Sequence, residues 1–150
     1  MESRPKYVAT LATAESVAFG PVGADATILE ETWAYKYAVA DGDLAVAHFE
    51  WLLENGTAAA RLYAAFGLRD VARERGQAVL DELEDDDTAV EHLNGCFAME
   101  TTVGDVVRSL RGTPQPLDPD VRRSSPLVAV LISVVPVALL GYWLYSCGSW

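Results

Sequence analysis

His92 and Cys96 are the first pair of side chains whose spacing could support chemistry. Residues four apart lie on one face of a helix, so an imidazole and a thiolate at these positions could share a metal ion. A third ligand would have to be His48 or a carboxylate, and the sequence places none nearby. Cys96 also lies beside Leu93 and Phe97, where a small buried thiol is ordinary. We therefore predict no metal site and no cofactor.

The densest charge run is a group of carboxylates between positions 81 and 87. A calcium-binding loop would alternate oxygen ligands around a glycine turn, and this run has neither feature. It is typical of a solvated helix end and turn; its functional alternative is a docking patch for a basic partner. The residues that we assign to this patch are Asp85, Asp86 and Asp87.

Nothing in the sequence indicates an enzyme. The chain has two histidines and no Ser/His/Asp, Cys/His or paired-carboxylate spacing that favours catalysis. The segment Phe19–Gly23 is rich in glycine, but it lacks the spacing and the lysine of a phosphate-binding loop. We predict no catalytic residue and no cofactor-binding residue.

Aromatic side chains are concentrated in the first half of the chain. If several are exposed together, they would form the energetic centre of a protein interface. The alternative is that they fill the core of a small helical domain. The aromatic candidates for partner binding are Trp33, Tyr37, Trp51 and Tyr63.

The charge balance restricts the partners. The formal net charge is −11, and every charged residue lies before position 124. A body this acidic repels phosphate groups, so we exclude nucleic acid as a partner and expect a protein instead. Hydrophobic residues make up 51% of the chain, which excludes a disordered protein.

Residues 127–145 form an uncharged run of 19 residues. At about 1.5 Å per residue, a helix of this length reaches roughly 30 Å, the thickness of the hydrocarbon core of a bilayer. Membrane helices tolerate an internal proline, and aromatic side chains suit the far headgroup region. The residues that we assign to this transmembrane anchor are Leu127, Pro136, Tyr142, Trp143 and Tyr145.

The flanks of this run predict its orientation. Arg122 and Arg123 precede it and no basic residue follows, so the positive-inside rule keeps the N-terminal body in the cytoplasm. The predicted localisation is a single-pass, tail-anchored membrane protein. Ala129, Ser133 and Gly141 share one face of the span, which would let two copies associate through their anchors.

The predicted domains follow from these boundaries. A helical body occupies residues 1–111, and a proline-rich linker follows at 112–126. The transmembrane helix at 127–145 is followed by a short tail at 146–150.

The body contains an internal repeat. Residues 44–70 shifted by 31 positions match residues 75–101, with six identities that include Thr57/Thr88, Leu62/Leu93 and Phe66/Phe97. Apolar spacing and capping signals predict a helix at 8–19 and three helix pairs. The pairs are 28–40 with 43–54, 57–68 with 70–84, and 88–99 with 103–111; the capping signals are Thr27 with Glu30, Asp43, Thr57, Thr88 with Glu91, and Thr102 with Asp105.

Pairs of short helices at this period, with Thr-Ala opening the first helix and Asp-rich turns, resemble HEAT-like repeats of the shorter bacterial kind over residues 27–111. The resemblance implies a small α-solenoid that presents a surface to another protein, and it implies no catalytic residue. The predicted fold class is therefore all-α: a short stack of antiparallel helix pairs plus one C-terminal transmembrane helix.

Two functions fit this layout. The first is a membrane-anchored helical scaffold that binds a protein partner or self-associates at the membrane surface. The alternative is a tail-anchored, membrane-active effector with a Bcl-2-like helical bundle, which shares this length and layout. Such a bundle buries one central apolar helix, whereas the sequence predicts amphipathic helices throughout.

Overall fold

A computed structural model describes residues 4–113 of the chain. These residues form six α-helices and one three-stranded sheet. The helices are α1 (Lys6–Ala12), α2 (Glu30–Ala40), α3 (Ala45–Asn55), α4 (Ala58–Val71), α5 (Arg73–Leu83) and α6 (Val103–Leu110), and the strands are β1 (Ser16–Val17), β2 (Ala89–Asn94) and β3 (Phe97–Thr102).

Helix α4 is the centre of this domain. Every residue from Leu62 to Leu68 is buried, and α4 contacts all five other helices as well as β1 and β2. Alanine-rich turns make this possible, because small side chains let neighbouring helices approach from several directions. The prediction that every helix is amphipathic is thus wrong for α4.

Two glycines allow α4 to approach α3 and α5 closely. A Cβ atom on Gly67 of α4 would lie 2.3 Å from the ring of Phe49 in α3. A Cβ atom on Gly76 of α5 would lie 2.0 Å from the backbone nitrogen of Arg69 in α4. The three helices therefore pack with almost no space between them at these points.

The predicted capping signals have mixed outcomes. Thr57 caps α4 by accepting a hydrogen bond from the Ala60 amide at 3.1 Å, and Thr102 caps α6 by accepting one from the Asp105 amide at 3.2 Å. Thr27 and Asp43 make no side-chain cap, since α2 and α3 begin after Leu29 and Leu44. Thr88 precedes a strand and caps no helix.

The all-α prediction is wrong, and the segment that overturns it is 88–102. This segment forms the antiparallel hairpin β2–β3, with six residue pairs from Ala89↔Thr102 to Asn94↔Phe97. Val90 and His92 are buried while Glu91 is exposed, which is the two-residue alternation of a strand. Gly95 takes the positive φ, 57°, that a two-residue hairpin turn requires.

The N-terminal helix also differs from its prediction of 8–19. It ends at Ala12, and β1 follows and pairs in parallel with β2 through Ser16↔Glu91 and Val17↔His92. Helices are found close to the predicted 28–40, 43–54, 57–68, 70–84 and 103–111. The domain is therefore a mixed α and β structure in place of a stack of helix pairs.

The membrane prediction concerns another part of the chain. None of the helices within residues 4–113 is both long enough and apolar enough to span a bilayer. The predicted linker from position 114 onward, the predicted span 127–145 and the tail 146–150 lie outside the described residues. The anchor residues Leu127, Pro136, Tyr142, Trp143 and Tyr145 lie there too.

Candidate protein-interaction surfaces

Two of the predicted aromatic residues lie together on the surface of α2. Trp33 and Tyr37 are four apart and therefore share a helix face, and their ring centroids are 6.4 Å apart. Trp33 is 39% exposed and Tyr37 is 60% exposed. Tyr7 of α1 joins them, with its ring centroid 6.4 Å from that of Tyr37. We call these three residues the aromatic patch.

A cavity of about 260 Å³ opens beside the aromatic patch. Its lining residues are Lys6, Tyr7, Thr10, Glu30, Trp33, Ala34 and Tyr37. Two of them, Lys6 and Glu30, form an ion pair at 3.2 Å. The cavity has the size of one side chain or a small organic group, and three of its seven lining residues are aromatic.

The aromatic rings on this side of the domain already contact cations of the chain itself. The Lys36 ammonium lies 4.8 Å from the centroid of the Trp33 ring, and the Arg4 guanidinium lies 4.2 Å from that of Trp51. Trp51 is half-buried in α3. These contacts indicate that the ring faces attract positive charge, as aromatic quadrupoles do.

A polar cluster beneath the patch holds Tyr7 in place. The Tyr7 hydroxyl donates to Asp41 Oδ2 at 2.5 Å, and His48 Nε2 lies 3.0 Å from the same oxygen. Neither ring nitrogen of His48 meets hydrogen-bond geometry with a described residue, because the ring is not aligned with the carboxylate. Burial, together with the hydrogen bond to Asp41 and its charge, raises the pKa of Tyr7 to about 12.

We predict a pH-dependent loss of stability from Tyr7. Its pKa in the folded state, about 12, lies above the value of 10.0 for an unperturbed tyrosine, so the neutral hydroxyl is favoured by folding. This contribution is complete below pH 10 and is lost as the pH rises toward 12. Urea unfolding from pH 8 to 12 should show a steeper decline for the wild type than for Tyr7→Phe; equal slopes would contradict the assignment.

Tyr63 lies in the core, unlike the other aromatic candidates. It is 0% exposed, and its hydroxyl accepts from the Ala18 amide at 2.8 Å and donates to the Ala18 carbonyl at 3.0 Å. The hydroxyl therefore connects α4 to the chain after β1. In this fold, Tyr63 supports the domain from within and is absent from its surface.

The three aspartates of the predicted docking patch occupy the turn between α5 and β2. Asp86 has a structural part in this turn, since it accepts from Arg61 at 2.7 Å and from the Thr88 amide at 2.9 Å. Burial acts to raise the pKa of Asp86, but the hydrogen bonds from Thr88 and the contact with Arg61 outweigh it and lower the pKa. Asp85 and Asp87 are exposed.

The hairpin removes the helical spacing on which a metal site shared by His92 and Cys96 would depend. His92 is on β2 and Cys96 is in the turn, so the two no longer share a helix face. Within residues 4–113 no group of three or more potential ligands could hold a metal ion. His92 is buried, and its burial lowers its pKa.

His92 lines a second cavity, of about 430 Å³, beneath the hairpin. Phe19, Met99 and Leu110 provide apolar walls from the segment after β1, from β3 and from α6. Next to it, the side chain of Phe97 is 74% exposed and that of Met99 is 51% exposed. Sequence reasoning missed this second surface because it placed residues 88–99 in a helix.

A third cavity, of about 320 Å³, is lined by arginines. Arg111 contacts the carboxylates of Asp81 and Glu84, and Arg69 lies 3.7 Å from Asp70. The charges of Arg69 and Arg111 are thus neutralised by neighbours on the domain itself. This arrangement favours a structural role for Arg69 and Arg111 over the binding of an external anion.

Comparisons with known proteins found no relative. No family model matches the chain, and neither a curated protein nor a solved structure matches it significantly. The resemblance to HEAT-like repeats stays a prediction from the sequence.

Proposed function

We propose that this protein is a membrane-anchored interaction protein whose aromatic patch binds a basic protein partner. The observation that carries the proposal is the joint exposure of Trp33 and Tyr37 beside an open cavity. Tryptophan and tyrosine are the residue types most enriched among interface hot spots, because they bury a large area at a low entropic cost.

The chemistry of the patch favours a positively charged partner. The rings of Tyr7, Trp33 and Tyr37 line the cavity, and Glu30 adds a carboxylate whose ion pair with Lys6 is solvent-exposed and therefore weak. A lysine or arginine side chain from a partner could insert its alkyl stem between the rings and replace Lys6 as the cation beside Glu30. The net charge of −11 would attract such a partner over a longer range.

The predicted anchor would determine where in the cell the domain meets its partner. Residues 127–145 would hold the domain at the cytoplasmic face of a membrane, which raises its effective concentration toward partners on the same surface. Under this proposal, the anchor sets where binding occurs and the aromatic patch sets what is bound.

We predict that Trp33→Ala weakens partner binding by about 30-fold or more, as expected for a hot spot worth about 2 kcal/mol. A photo-crosslinking residue in place of Tyr37 of the full-length protein should first capture the partner in cells. The same residue in place of exposed Gln77 of α5 is the control and should not capture it. The affinity of the purified partner is then measured for the wild type and for Trp33→Ala.

Val46→Ala is the matched control, since Val46 of α3 is an exposed apolar residue that belongs neither to the aromatic patch nor to the lining of its cavity. Its affinity for the partner should equal that of the wild type. An unchanged affinity for Trp33→Ala, or capture from position 77 alone, would contradict the proposal.

The membrane-active effector is a second candidate, and one observation favours it. Helix α4 is a single central buried helix, which is the feature expected of a Bcl-2-like body. The hairpin β2–β3 departs from an all-helical bundle. Release of an encapsulated dye from liposomes by the full-length protein would support this candidate; intact liposomes would favour the interaction protein.

A further inference from the structure

Among residues 4–113, strand β3 has one free edge. β2 pairs with β1 on one side and with β3 on the other, so β3 is the end of the sheet. A two-residue turn closes on a hydrogen-bonded pair, here Asn94 and Phe97, and this fixes the alternation along the hairpin. The backbone N–H and C=O groups of Ala98 and Glu100 consequently point away from β2. Within residues 4–113 these groups have no hydrogen-bond partner.

This edge lacks most of the features that usually protect an edge strand. Natural proteins protect such strands with proline, charged side chains (lysine above all), a bulge or very short length. The β3 sequence, Phe-Ala-Met-Glu-Thr-Thr, contains one charged residue, Glu100, but no proline and no lysine, and its register with β2 runs through six consecutive pairs without a bulge. As far as residues 4–113 are concerned, the backbone of β3 is thus available to another strand.

Two large apolar residues on one face of β3, Phe97 and Met99, are exposed in the described part of the chain. Phe97 and Met99 lie on the same face as His92, because directly paired residues of antiparallel strands share a face. This face borders the cavity of about 430 Å³ whose walls include Phe19 and Leu110. Apolar side chains of an added strand would pack against Phe97 and Met99 and reach this cavity.

The other face of the hairpin carries two carboxylates, Glu91 of β2 and Glu100 of β3. Glu91 and Glu100 are directly paired across the hairpin, both are exposed, and neither forms an ion pair with a described residue. Like charges in this position destabilise a sheet, and a basic side chain on a neighbouring strand would remove the repulsion. A second copy of this chain would instead bring another Glu100 and a further net charge of −11.

We propose that the free edge of β3 accepts a strand from a partner segment in which apolar and basic residues alternate. The apolar residues face Phe97 and Met99, and the basic residues face Glu91 and Glu100. This surface is separate from the aromatic patch, and the proposal does not depend on the function assigned to that patch.

The test uses the full-length protein in neutral detergent and three fluorescent seven-residue peptides. The first alternates valine and lysine, the second has the same composition in blocks, and the third alternates valine and glutamate. Binding is measured by fluorescence anisotropy at low and at physiological salt. We expect the alternating valine–lysine peptide to bind at least tenfold more tightly than either of the others.

Two variants of β3 test the geometry. Ala98→Pro removes an N–H group at the free edge without removing a hydrogen bond to β2. It should therefore lower the affinity for the valine–lysine peptide at least tenfold. Ala98→Val keeps the N–H group and should bind as the wild type does. Glu100→Lys leaves the backbone intact and reverses the charge on β3. This variant should bind the valine–glutamate peptide more tightly than the wild type does, and the valine–lysine peptide less tightly.

Several results would overturn the proposal. Equal binding of the blocked peptide would mean that charge alone attracts the ligand. If both Ala98→Pro and Glu100→Lys bind the valine–lysine peptide as the wild type does, the binding site lies elsewhere. If circular dichroism shows that Ala98→Pro does not fold, the result for Glu100→Lys alone tests the proposal. Dimerisation that Glu100→Lys or Ala98→Pro abolishes in the absence of peptide would identify a second copy as the occupant, against the proposal.

Discussion

Gly76→Ala is expected to lower the free energy of unfolding by about 3 kcal/mol, because the new methyl group has no space. Its Cβ atom would lie 2.0 Å from the backbone nitrogen and 2.3 Å from the Cα atom of Arg69. These are backbone atoms within α4, so they cannot turn aside as the end of a side chain can. Relief requires α5 to move away from α4, which would expose part of Val79 and Leu80.

The sign of this effect is diagnostic. Alanine in place of glycine inside a helix normally stabilises a protein by about 0.5–1 kcal/mol. Urea unfolding of the full-length protein, followed by circular dichroism, measures the difference. Gly112→Ala is the control, since no atom of the described residues, apart from its two chain neighbours, lies within 4 Å of its Cβ position; it should leave stability within about 0.5 kcal/mol. A stabilised Gly76→Ala would mean that α4 and α5 are further apart than described.

Tyr63→Phe is expected to lower the free energy of unfolding by about 2 kcal/mol while leaving partner affinity unchanged. The substitution removes the hydroxyl that bonds both backbone groups of Ala18. The Ala18 carbonyl keeps a second donor, the Thr32 hydroxyl at 2.8 Å, but the buried Ala18 amide is left without a partner. The cost is therefore that of one unsatisfied buried donor.

Tyr37→Phe is the matched control for this prediction. Tyr37 is 60% exposed, and its hydroxyl has no partner among the described residues, so stability should change by less than about 0.5 kcal/mol. Both variants are measured by urea unfolding and by affinity for the captured partner. If Tyr63→Phe weakened binding without a loss of stability, Tyr63 would have to reach the surface in the bound state.

The sequence located most helices because their signals are local. The caps Thr57 and Thr102 lie at the starts of α4 and α6, and each bonds an amide three residues away, a contact that needs no distant partner. The same holds for the pair Trp33 and Tyr37, which share a face in any helix. The capping predictions failed where the same residues suit a different local structure. Thr27 and Thr88 match a helix-capping pattern, but neither caps a helix.

The repeat misled the prediction for residues 88–99. Thr88, Leu93 and Phe97 match Thr57, Leu62 and Phe66 at the period of 31 residues, but residue identity does not specify conformation. A short apolar run suits a strand as well as a helix, and the surroundings decide between them. Here Ser16 and Val17 pair with β2, and Gly95 closes a tight turn that a helix would exclude.

The sequence by itself determined the acidic balance, the helical character of most of residues 28–83, and the caps that begin α4 and α6. The tertiary structure decided what depends on distant neighbours. In the tertiary structure Tyr63 is buried and Tyr37 is exposed, and α4 is surrounded by other elements. The segment 88–102, whose first part was predicted to be a helix, forms a hairpin. The physical reason is that hydrogen bonds within a helix form between residues close in sequence, whereas burial and strand pairing join residues far apart in it.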